Sequence, residues 1–370
     1  MIIDIMLLIL GLAVLVLGGE LLVRGASSIA LVWGVSPLVI GLTVVAFGTS
    51  APEAAVSILS SLQGIAGVAI GNIIGSNIFN ILVVLGFSAL IAPLSVHQQV
   101  IHFEAPLGVG VTLLLAGLSF DGVISRFDGI FLFSGILVYT FWAIRKSRTE
   151  PVEIQQEYAK EFGRSAQPNG HIAFQLLFII GGVGLLVFGS DLLVKGASSM
   201  ARRMGVSDLV IGLTIIAAGT SLPELATSII ATIRGEKDIA VGNVIGSNLF
   251  NILCVLGLVG LIARHGFPVP PRVLHCDLWI MLGASALVLP VFFTGYRISR
   301  WEGAIFIIFY ILYLGFLVLF ESGHPGLARF IAFAFFFVVQ MVTLIIGTVI
   351  YQLLHIKKER RSMSIGIRKK

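Results

Sequence analysis

The chain has 370 residues, of which 57% are hydrophobic and only 12% are charged, and its mean hydropathy is +1.03. Soluble proteins of this length do not have such a composition, so we predict an integral membrane protein. The formal net charge of +5 is explained by basic loops on one side of a membrane and does not indicate nucleic-acid binding.

The chain starts Met1-Ile2-Ile3-Asp4, with neither a basic region nor an evident cleavage site. We therefore interpret residues 2–23 as a retained helix rather than a signal peptide. Further spans are predicted, in chain order, at 37–63, 67–92, 103–120, 127–145, 171–194, 208–233, 238–263, 273–294, 301–320 and 327–355. The predicted fold class is all-α, with ten core transmembrane helices and one extra C-terminal helix.

The middle of the second span carries the phrase Gly48-Thr49-Ser50-Ala51-Pro52-Glu53, which returns 171 positions later as Gly219-Thr220-Ser221-Leu222-Pro223-Glu224. Proline removes a backbone donor, so each helix must bend or break there. A glutamate follows at a depth where ionisable side chains are costly and usually functional. Freed carbonyls, hydroxyls and a carboxylate together suit a hard cation. In an alternative interpretation, each Ser-x-x-Glu is a capping box for the half-helix that restarts after the break.

The repeat extends well beyond this phrase. Residues 34–87 align without a gap with residues 205–258 and are identical at 33 of 54 positions. Upstream, residues 18–28 are similar to residues 189–199 at the same offset. Each copy holds five helices, and because five is odd the second copy must enter the membrane from the opposite side. The sequence therefore predicts an inverted-topology repeat, an architecture shared by many secondary transporters.

The repeat also sets the predicted boundaries along the chain. These are a first repeat at 1–145 with its motif region at 37–87, a linker at 146–170, a second repeat at 171–320 with its motif region at 208–258, an additional helix at 327–355 and a basic tail at 356–370. With the N-terminus outside, 17 lysines and arginines lie inside and 7 outside. This asymmetry predicts that the linker and the C-terminal tail are cytoplasmic.

One helix after each break lies a second polar phrase, Gly-Asn-x-x-Gly-Ser-Asn-x-Phe-Asn, at 71–80 and again at 242–251. Ser76 and Asn80 are four residues apart and so lie on one helical face, and the same holds in the second repeat. An amide oxygen that faces a glutamate needs a positive charge between them, so Asn80 and Asn251 are predicted cation ligands. The glycines of the phrase are interpreted as helix-packing residues.

The combined ligand set contains two carboxylates, hydroxyls, two amide oxygens and free carbonyls, but neither histidine nor thiolate. Such ligands suit Ca²⁺ or Na⁺ and argue against zinc or copper. Two glutamates carry a charge of −2, which one Ca²⁺ neutralises. Cys254 and Cys276 fit no metal-ligand spacing and are interpreted as packing residues. Glu20 and Asp191, near the ends of the first and sixth helices, are interpreted as interfacial structural residues.

The two doubled phrases together resemble the alpha-repeats of the cation/calcium antiporter superfamily, in its Na⁺/Ca²⁺ exchanger branch of prokaryotic type. The resemblance covers about residues 1–320. It implies a ten-helix core that works by alternating access, in which the first and sixth helices slide across a bundle of the other eight. It also implies a row of four cation sites, where Ca²⁺ and Na⁺ compete for the same oxygens, in a prokaryotic inner membrane.

The resemblance also implies ligands for each ion. Ca²⁺ and Na⁺ would share Glu53 and Glu224, and Ca²⁺ would also be held by carbonyls of Thr49 and Thr220. The outlying sodium sites would use Ala46, Ser50, Ser76, Ala217, Ser221 and Ser247, and the central one Asn80. Asn251 departs from the pattern, because several relatives, including the potassium-dependent branch, have an aspartate there. With asparagine at both symmetric positions, potassium dependence is not expected.

We therefore expect a secondary active antiporter that exchanges Ca²⁺ for Na⁺ electrogenically, with no enzymatic activity and no cofactor. Its predicted partners are Ca²⁺, Na⁺ and membrane lipid; neither nucleic acid nor a protein partner is predicted. Two alternatives are a Ca²⁺/H⁺ antiporter and a potassium-dependent exchanger. In the proton-coupled branch of the superfamily, the corresponding phrase resembles Gly-Asn-x-x-Glu. This chain has glycine in place of that glutamate in both repeats. The inverted repeat argues against a passive channel, and the lack of a His-Glu-x-x-His or Gly-x-Gly-Asp phrase argues against an intramembrane hydrolase.

Overall fold

The protein is described here by a computed structural model, which covers residues 2–33, 35–62, 64, 66–147, 172–203, 217–263, 266–293 and 295–367. Its helices are α1 Ile2–Trp33, α2 Leu38–Thr49, α3 Ala51–Leu62, α4 Gly67–Ile91, α5 Val100–Leu118, α6 Arg126–Ser147, α7 Ile172–Arg203, α8 Ala217–Gly219, α9 Leu222–Ile233, α10 Lys237–Ile262, α11 Val273–Phe293, α12 Arg300–Glu321 and α13 Leu327–Ile367. Four two-residue strands are β1 Leu94–Ser95, β2 Val123–Ile124, β3 Phe267–Pro268 and β4 Arg297–Ile298.

The described helices agree with the predicted spans. Nine of them are long and apolar enough to cross a membrane, and the bent pair α2 and α3 adds a tenth. The predicted span 208–233 is described only from residue 217 onward, where α8 and α9 form its second part. Its first part lies outside the described residues, as do residues 148–170 of the linker and residue 171. The structure thus confirms an all-α membrane protein, whose described residues contain nine complete core spans, the second part of a tenth and the additional helix α13.

Three helices are longer than the sequence analysis predicted. Helices α1 and α7 continue to Trp33 and Arg203, because a charged residue late in an apolar span does not break helical hydrogen bonding. Helix α13 continues to Ile367 through most of the segment predicted as a separate tail. That segment is rich in lysine, arginine, glutamate and methionine, which are good helix formers, so its polarity alone does not end the helix.

Two short antiparallel ladders confirm the inverted topology. Strand β1 pairs with β4, and β2 pairs with β3. Because β1 precedes α5 and β2 follows it, the two ladders lie at opposite ends of the helix bundle. Strands β1 and β3 follow corresponding helices of the two repeats, as do β2 and β4. Equivalent parts of the two repeats are therefore found on opposite sides of the bundle.

Helices α1 and α7 pack against each other along a line of glycines. A Cβ atom on Gly18 would lie 2.9 Å from the carbonyl oxygen of Gly182, and one on Gly11 would lie 2.9 Å from that of Gly189. Gly11 and Gly18 correspond to Gly182 and Gly189 at the repeat offset of 171. The same glycines of each repeat therefore let the two backbones approach too closely for any side chain.

Helices α4 and α10 form the centre of the bundle, while α13 lies at its edge. The apolar windows of α4 and α10 are 83% and 78% buried, compared with 6% for α13. Helix α13 packs on α11 and α12, where the ring of Phe330 covers Gly315 and Phe337 contacts Phe309 edge to face. Helix α13 is therefore peripheral, and the polar phrases of α4 and α10 are central.

Candidate cation-binding site

Both predicted helix breaks are present and have the same backbone geometry. Helices α2 and α3 meet at an angle of 47°. Ser50, at the break, has φ −80° and ψ 8°, and Ser221 has φ −92° and ψ 7°. Proline follows each serine by two residues, so the helix cannot continue unbroken. The breaks place Glu53 and Glu224 in the first turns of α3 and α9, where both side chains are 0% exposed.

The serines at the breaks bind the glutamate of the opposite repeat. Ser50 Oγ donates a hydrogen bond to Glu224 Oε1 at 2.9 Å, and Ser221 Oγ donates to Glu53 Oε1 at 2.9 Å. Within the described part of α9, Ser221 makes no side-chain capping hydrogen bond. The hydroxyl predicted by the capping-box alternative to cap its own helix is instead used across the repeat interface. The two breaks therefore form one site.

Two further serines bind the glutamate of their own repeat. Ser76 Oγ lies 3.4 Å from Glu53 Oε1, and Ser247 Oγ lies 3.4 Å from Glu224 Oε1. Both serines are buried on the central helices α4 and α10. Each Oε1 atom thus receives hydrogen bonds from two hydroxyls, one from each repeat, and the structure brings together all four serines predicted from the sequence.

The freed carbonyl that proline leaves behind has a donor in one repeat. Ser190 of α7 donates its hydroxyl hydrogen to the carbonyl oxygen of Gly219. At the repeat offset the counterpart of Ser190 is Gly19, which has no side chain to donate. The contact therefore joins α7 to the second break without an equivalent between α1 and the first break.

The hydroxyls of the two threonines are held by asparagines that the sequence analysis gave no role in binding. Thr49 Oγ1 donates to Asn243 Oδ1 at 3.0 Å, and Thr220 Oγ1 donates to Asn72 Oδ1 at 3.2 Å. Asn72 Nδ2 in turn donates to the carbonyl of Glu53 at 3.3 Å. These hydrogen bonds fix the two threonine hydroxyls between the repeats, beside the backbone carbonyls of the same residues that the resemblance implies as Ca²⁺ ligands. The sequence signal that could have identified Asn72 and Asn243 is that asparagine occupies this position in both repeats.

Asn80 and Asn251 lie one helical turn beyond the serines of α4 and α10, and both are 0% exposed. Each begins a π-helical segment, Asn80–Leu85 in α4 and Asn251–Leu256 in α10. Single π-helical turns inside α-helices occur frequently at functional sites. The four-residue spacing from each serine predicted the face on which these amides lie but not the change of helix type.

Four buried oxygens of this cluster have no hydrogen-bond donor among the described residues. They are Oε2 of Glu53, Oε2 of Glu224, Oδ1 of Asn80 and Oδ1 of Asn251. Burying an ionised carboxylate without a partner costs roughly several kcal/mol, whereas a cation placed among these oxygens would satisfy them. Two carboxylates with neutral oxygens around them are the hard ligand set that Ca²⁺ and Na⁺ prefer.

The two predicted alanine ligands, Ala46 and Ala217, have weaker structural support than the serines and glutamates. Ala46 is buried in the last turn of α2, where its carbonyl oxygen already accepts a hydrogen bond from the Ser50 amide at 3.0 Å and lies 3.4 Å from Thr49 Oγ1. Ala217 is the first residue of α8, and its side chain lies outside the described set.

In the copy of the second polar phrase at 242–251, the glycines are helix-packing residues, as predicted. A Cβ atom on Gly242 would lie 2.8 Å from the carbonyl oxygen of Leu38, and one on Gly246 would lie 2.5 Å from that of Leu42. For the copy at 71–80, the residues equivalent to Leu38 and Leu42 are 209 and 213, which lie outside the described ranges. Packing of α10 against α2 therefore explains these glycines.

Glu20 and Asp191 lie outside the cluster. Glu20 accepts hydrogen bonds from Arg234, with Nε at 2.7 Å from Oε2, and pairs with Arg24 at 2.8 Å. Asp191 pairs with Lys195, one turn along α7, at 2.6 Å. Because α1 continues to Trp33 and α7 to Arg203, the predicted position of both residues near helix ends is wrong, whereas their ion pairs fit a structural role.

Comparisons with known proteins point to one family. The model of the family described as "Sodium/calcium exchanger protein" matches residues 3–145 and 174–319. The chain is 39% identical over 283 residues to inner membrane protein YrbG of Escherichia coli, covering 76% of this chain and 86% of that protein. It is 33% identical over 343 residues to the sodium/calcium exchanger MaX1 of Methanosarcina acetivorans, covering 84% and 97%.

A solved structure gives the same result. The sodium-calcium exchanger NCX_Mj, soaked with Na⁺ and Ca²⁺, superposes with a TM-score of 0.72 at 33% identity, covering 85% of this chain and 98% of that chain. The range matched by the family model ends before α13 begins.

Proposed function

The chain belongs to the sodium/calcium exchanger protein family, and we propose that it exports Ca²⁺ from the cell in exchange for entering Na⁺. It is an antiporter that exchanges the two ions by alternating access, so one site opens to one side of the membrane at a time. The observation that carries this proposal is the set of four buried oxygens that have no donor in the described part of the chain, contributed equally by the two repeats.

Charge determines how the ions share the site. The paired carboxylates of Glu53 and Glu224 supply two negative charges, which one Ca²⁺ balances. Na⁺ ions can instead occupy several adjacent positions built from neutral oxygens, including the hydroxyls of the four serines that contact the glutamates. Three Na⁺, the number that the family implies, would carry one more positive charge than Ca²⁺. No catalysed reaction and no cofactor are part of this proposal.

We place the protein in the inner membrane of a prokaryotic cell, with its N-terminus outside and its C-terminus in the cytoplasm. The name of the relative YrbG, an inner membrane protein, supports the location. The orientation is supported by the excess of lysine and arginine on the proposed cytoplasmic side. The β1–β4 ladder, which joins two loops assigned to the cytoplasm, is consistent with it.

Coupling to Na⁺ can be measured directly in proteoliposomes. Vesicles loaded with Na⁺ at constant pH should take up Ca²⁺, because outward Na⁺ flow drives inward Ca²⁺ flow. One net charge per cycle is worth about 2.3 kcal/mol per 100 mV, so a potential set with K⁺ and valinomycin should change the uptake rate severalfold.

The same vesicles discriminate the alternatives. A protein-free vesicle and an imposed pH step without a Na⁺ gradient should both give background uptake. Uptake that follows the pH step and ignores both Na⁺ and the potential would identify a Ca²⁺/H⁺ antiporter. Uptake without any counter-ion gradient would identify a channel.

Potassium independence is a separate prediction, which rests on Asn251. With only two carboxylates in the site, we expect Na⁺-driven Ca²⁺ uptake to be equal with and without K⁺ at a fixed potential. Asn251→Asp adds a third carboxylate and should shift selectivity toward additional positive charge, as should the repeat-related Asn80→Asp. A parent protein that requires K⁺ would show that the asparagine does not decide this property.

A further inference from the structure

Asn77 and Asn248 form a contact between the two repeats and are not among the proposed cation ligands. Each follows one residue after a site serine, on α4 and α10, and they are 1% and 9% exposed. Asn77 Nδ2 donates to the backbone carbonyl of Asn248 at 3.4 Å, and Asn248 Nδ2 donates to that of Asn77 at 3.3 Å. A carbonyl oxygen only accepts, so the atom facing it must be the amide nitrogen. The orientation of both amides is thereby fixed.

The fixed orientation is passed on to the two ligand asparagines. Asn77 Oδ1 accepts a hydrogen bond from Asn251 Nδ2 at 3.0 Å, and Asn248 Oδ1 accepts one from Asn80 Nδ2 at 3.1 Å. Since the NH₂ group of each ligand asparagine is used in this way, its Oδ1 is the atom left over. Those two Oδ1 atoms are buried and have no donor among the described residues.

We propose that Asn77 and Asn248 are positioning residues that keep the amide oxygens, rather than the NH₂ groups, of Asn251 and Asn80 directed at the ions. An amide rotated by 180° would present two N–H groups to the cation, which repel it. Asparagine is the side chain suited to this task, because it donates to a carbonyl and accepts from an amide at the same time. This inference rests on the proposed function, since it concerns ligands of the exchanged ions.

The hydrogen bonds of Asn77 and Asn248 can be removed by substitution without a large change in the packed volume of the core. A cavity of about 20 Å³ adjoins both asparagines and is also lined by Thr112 and Ser285 of α5 and α11. A cavity of this size has room for about one water molecule. Leucine has nearly the shape of asparagine but can neither donate nor accept, so Asn77→Leu removes the hydrogen bonds while keeping most of the packing.

The test is a double-mutant cycle on the purified full-length protein, with the Ca²⁺ dissociation constant measured by calorimetry. Asn77→Leu should weaken Ca²⁺ binding roughly 10- to 100-fold, the usual effect of losing a partner that orients a metal ligand. In an Asn251→Asp background the loss should fall below about threefold, because both carboxylate oxygens can face the ion in either orientation. Asn248→Leu with Asn80→Asp should behave in the same way.

Each other outcome counts against the inference. An equal loss in both backgrounds would show that Asn77 acts through packing alone, and an unchanged dissociation constant in the folded single variant would show that the contact is irrelevant. If Asn77→Leu does not fold, Asn77→Ala and Asn248→Leu provide the same comparison. Glu53→Gln separates this question from the function itself. Parent-like Ca²⁺ binding in that variant would contradict the proposed site and this inference, whereas its loss beside normal binding in Asn77→Leu would contradict the inference alone.

Discussion

Glu53→Gln and Glu224→Gln should each abolish Ca²⁺ exchange while leaving the protein folded. Glutamine has the shape of glutamate, so the serine hydroxyls that donate to Oε1 at 2.9 Å can still do so. The variant loses one of the two charges that balance Ca²⁺. Removing one partner of a buried charge pair costs about 2–5 kcal/mol, which corresponds to a roughly 30- to 5,000-fold loss of affinity. Na⁺-driven Ca²⁺ uptake into proteoliposomes is the measurement.

A matched control exists at the start of α12. Glu302 is 1% exposed and accepts a hydrogen bond from the Ser299 amide at 2.7 Å in a capping box, a role that glutamine fills equally well. Glu302→Gln should therefore exchange Ca²⁺ as the parent does. Near-parental uptake in either site variant would show that these glutamates serve only to start their helices.

Gly182→Ala should destabilise the protein, whereas Gly184→Ala, two residues further along the same helix, should not. A Cβ atom on Gly182 would lie 2.6 Å from the Leu22 amide nitrogen and 2.8 Å from the Gly18 carbonyl oxygen. Both are backbone atoms, so no side-chain rotation relieves the clash, and α1 and α7 must separate. Overpacking of this kind costs about 1–3 kcal/mol.

Gly184 provides the control because a Cβ atom there meets nothing within 4 Å. Alanine is a better helix former than glycine by about 1 kcal/mol, so Gly184→Ala should be neutral or stabilising. The midpoint temperature of thermal unfolding in detergent and the rate of Ca²⁺ uptake should both be lower for Gly182→Ala than for the parent, and unchanged or higher for Gly184→Ala. Equal midpoints for the two variants would mean that α1 and α7 are not held together by this glycine line.

The central elements of this fold could be predicted because each had a strong local cause. Proline at residues 52 and 223 made the helix breaks unavoidable, and the exact offset between the copies made the inverted repeat a matter of counting helices. The helix ends were less accurate, since the apolar pattern fades before the helical hydrogen bonding stops. The two-residue strands were too short to show an alternating pattern.

The pairing of the site residues was beyond local reasoning. Ser50 and Glu53 are three residues apart, a spacing that a capping box shares, yet the Ser50 hydroxyl binds a glutamate 174 positions away. Only the packing of the two repeats decides between these partners. The same holds for Asn77, whose sequence neighbours do not reveal that its amide contacts Asn251. Both contacts join identical motifs, so the doubling of a motif was the available sign that its polar residues meet.

The central claim is that Ca²⁺ and Na⁺ compete for the same buried oxygens, and a competition titration tests it most directly. Ca²⁺ binding to the purified protein is measured by calorimetry at increasing Na⁺, with choline replacing Na⁺ to keep the ionic strength constant. We predict that Na⁺ raises the apparent Ca²⁺ dissociation constant more steeply than in proportion to its concentration, because several Na⁺ replace one Ca²⁺. Glu53→Gln should remove the Ca²⁺ signal at every Na⁺ concentration. Ca²⁺ binding that is unchanged as Na⁺ rises would contradict the shared site.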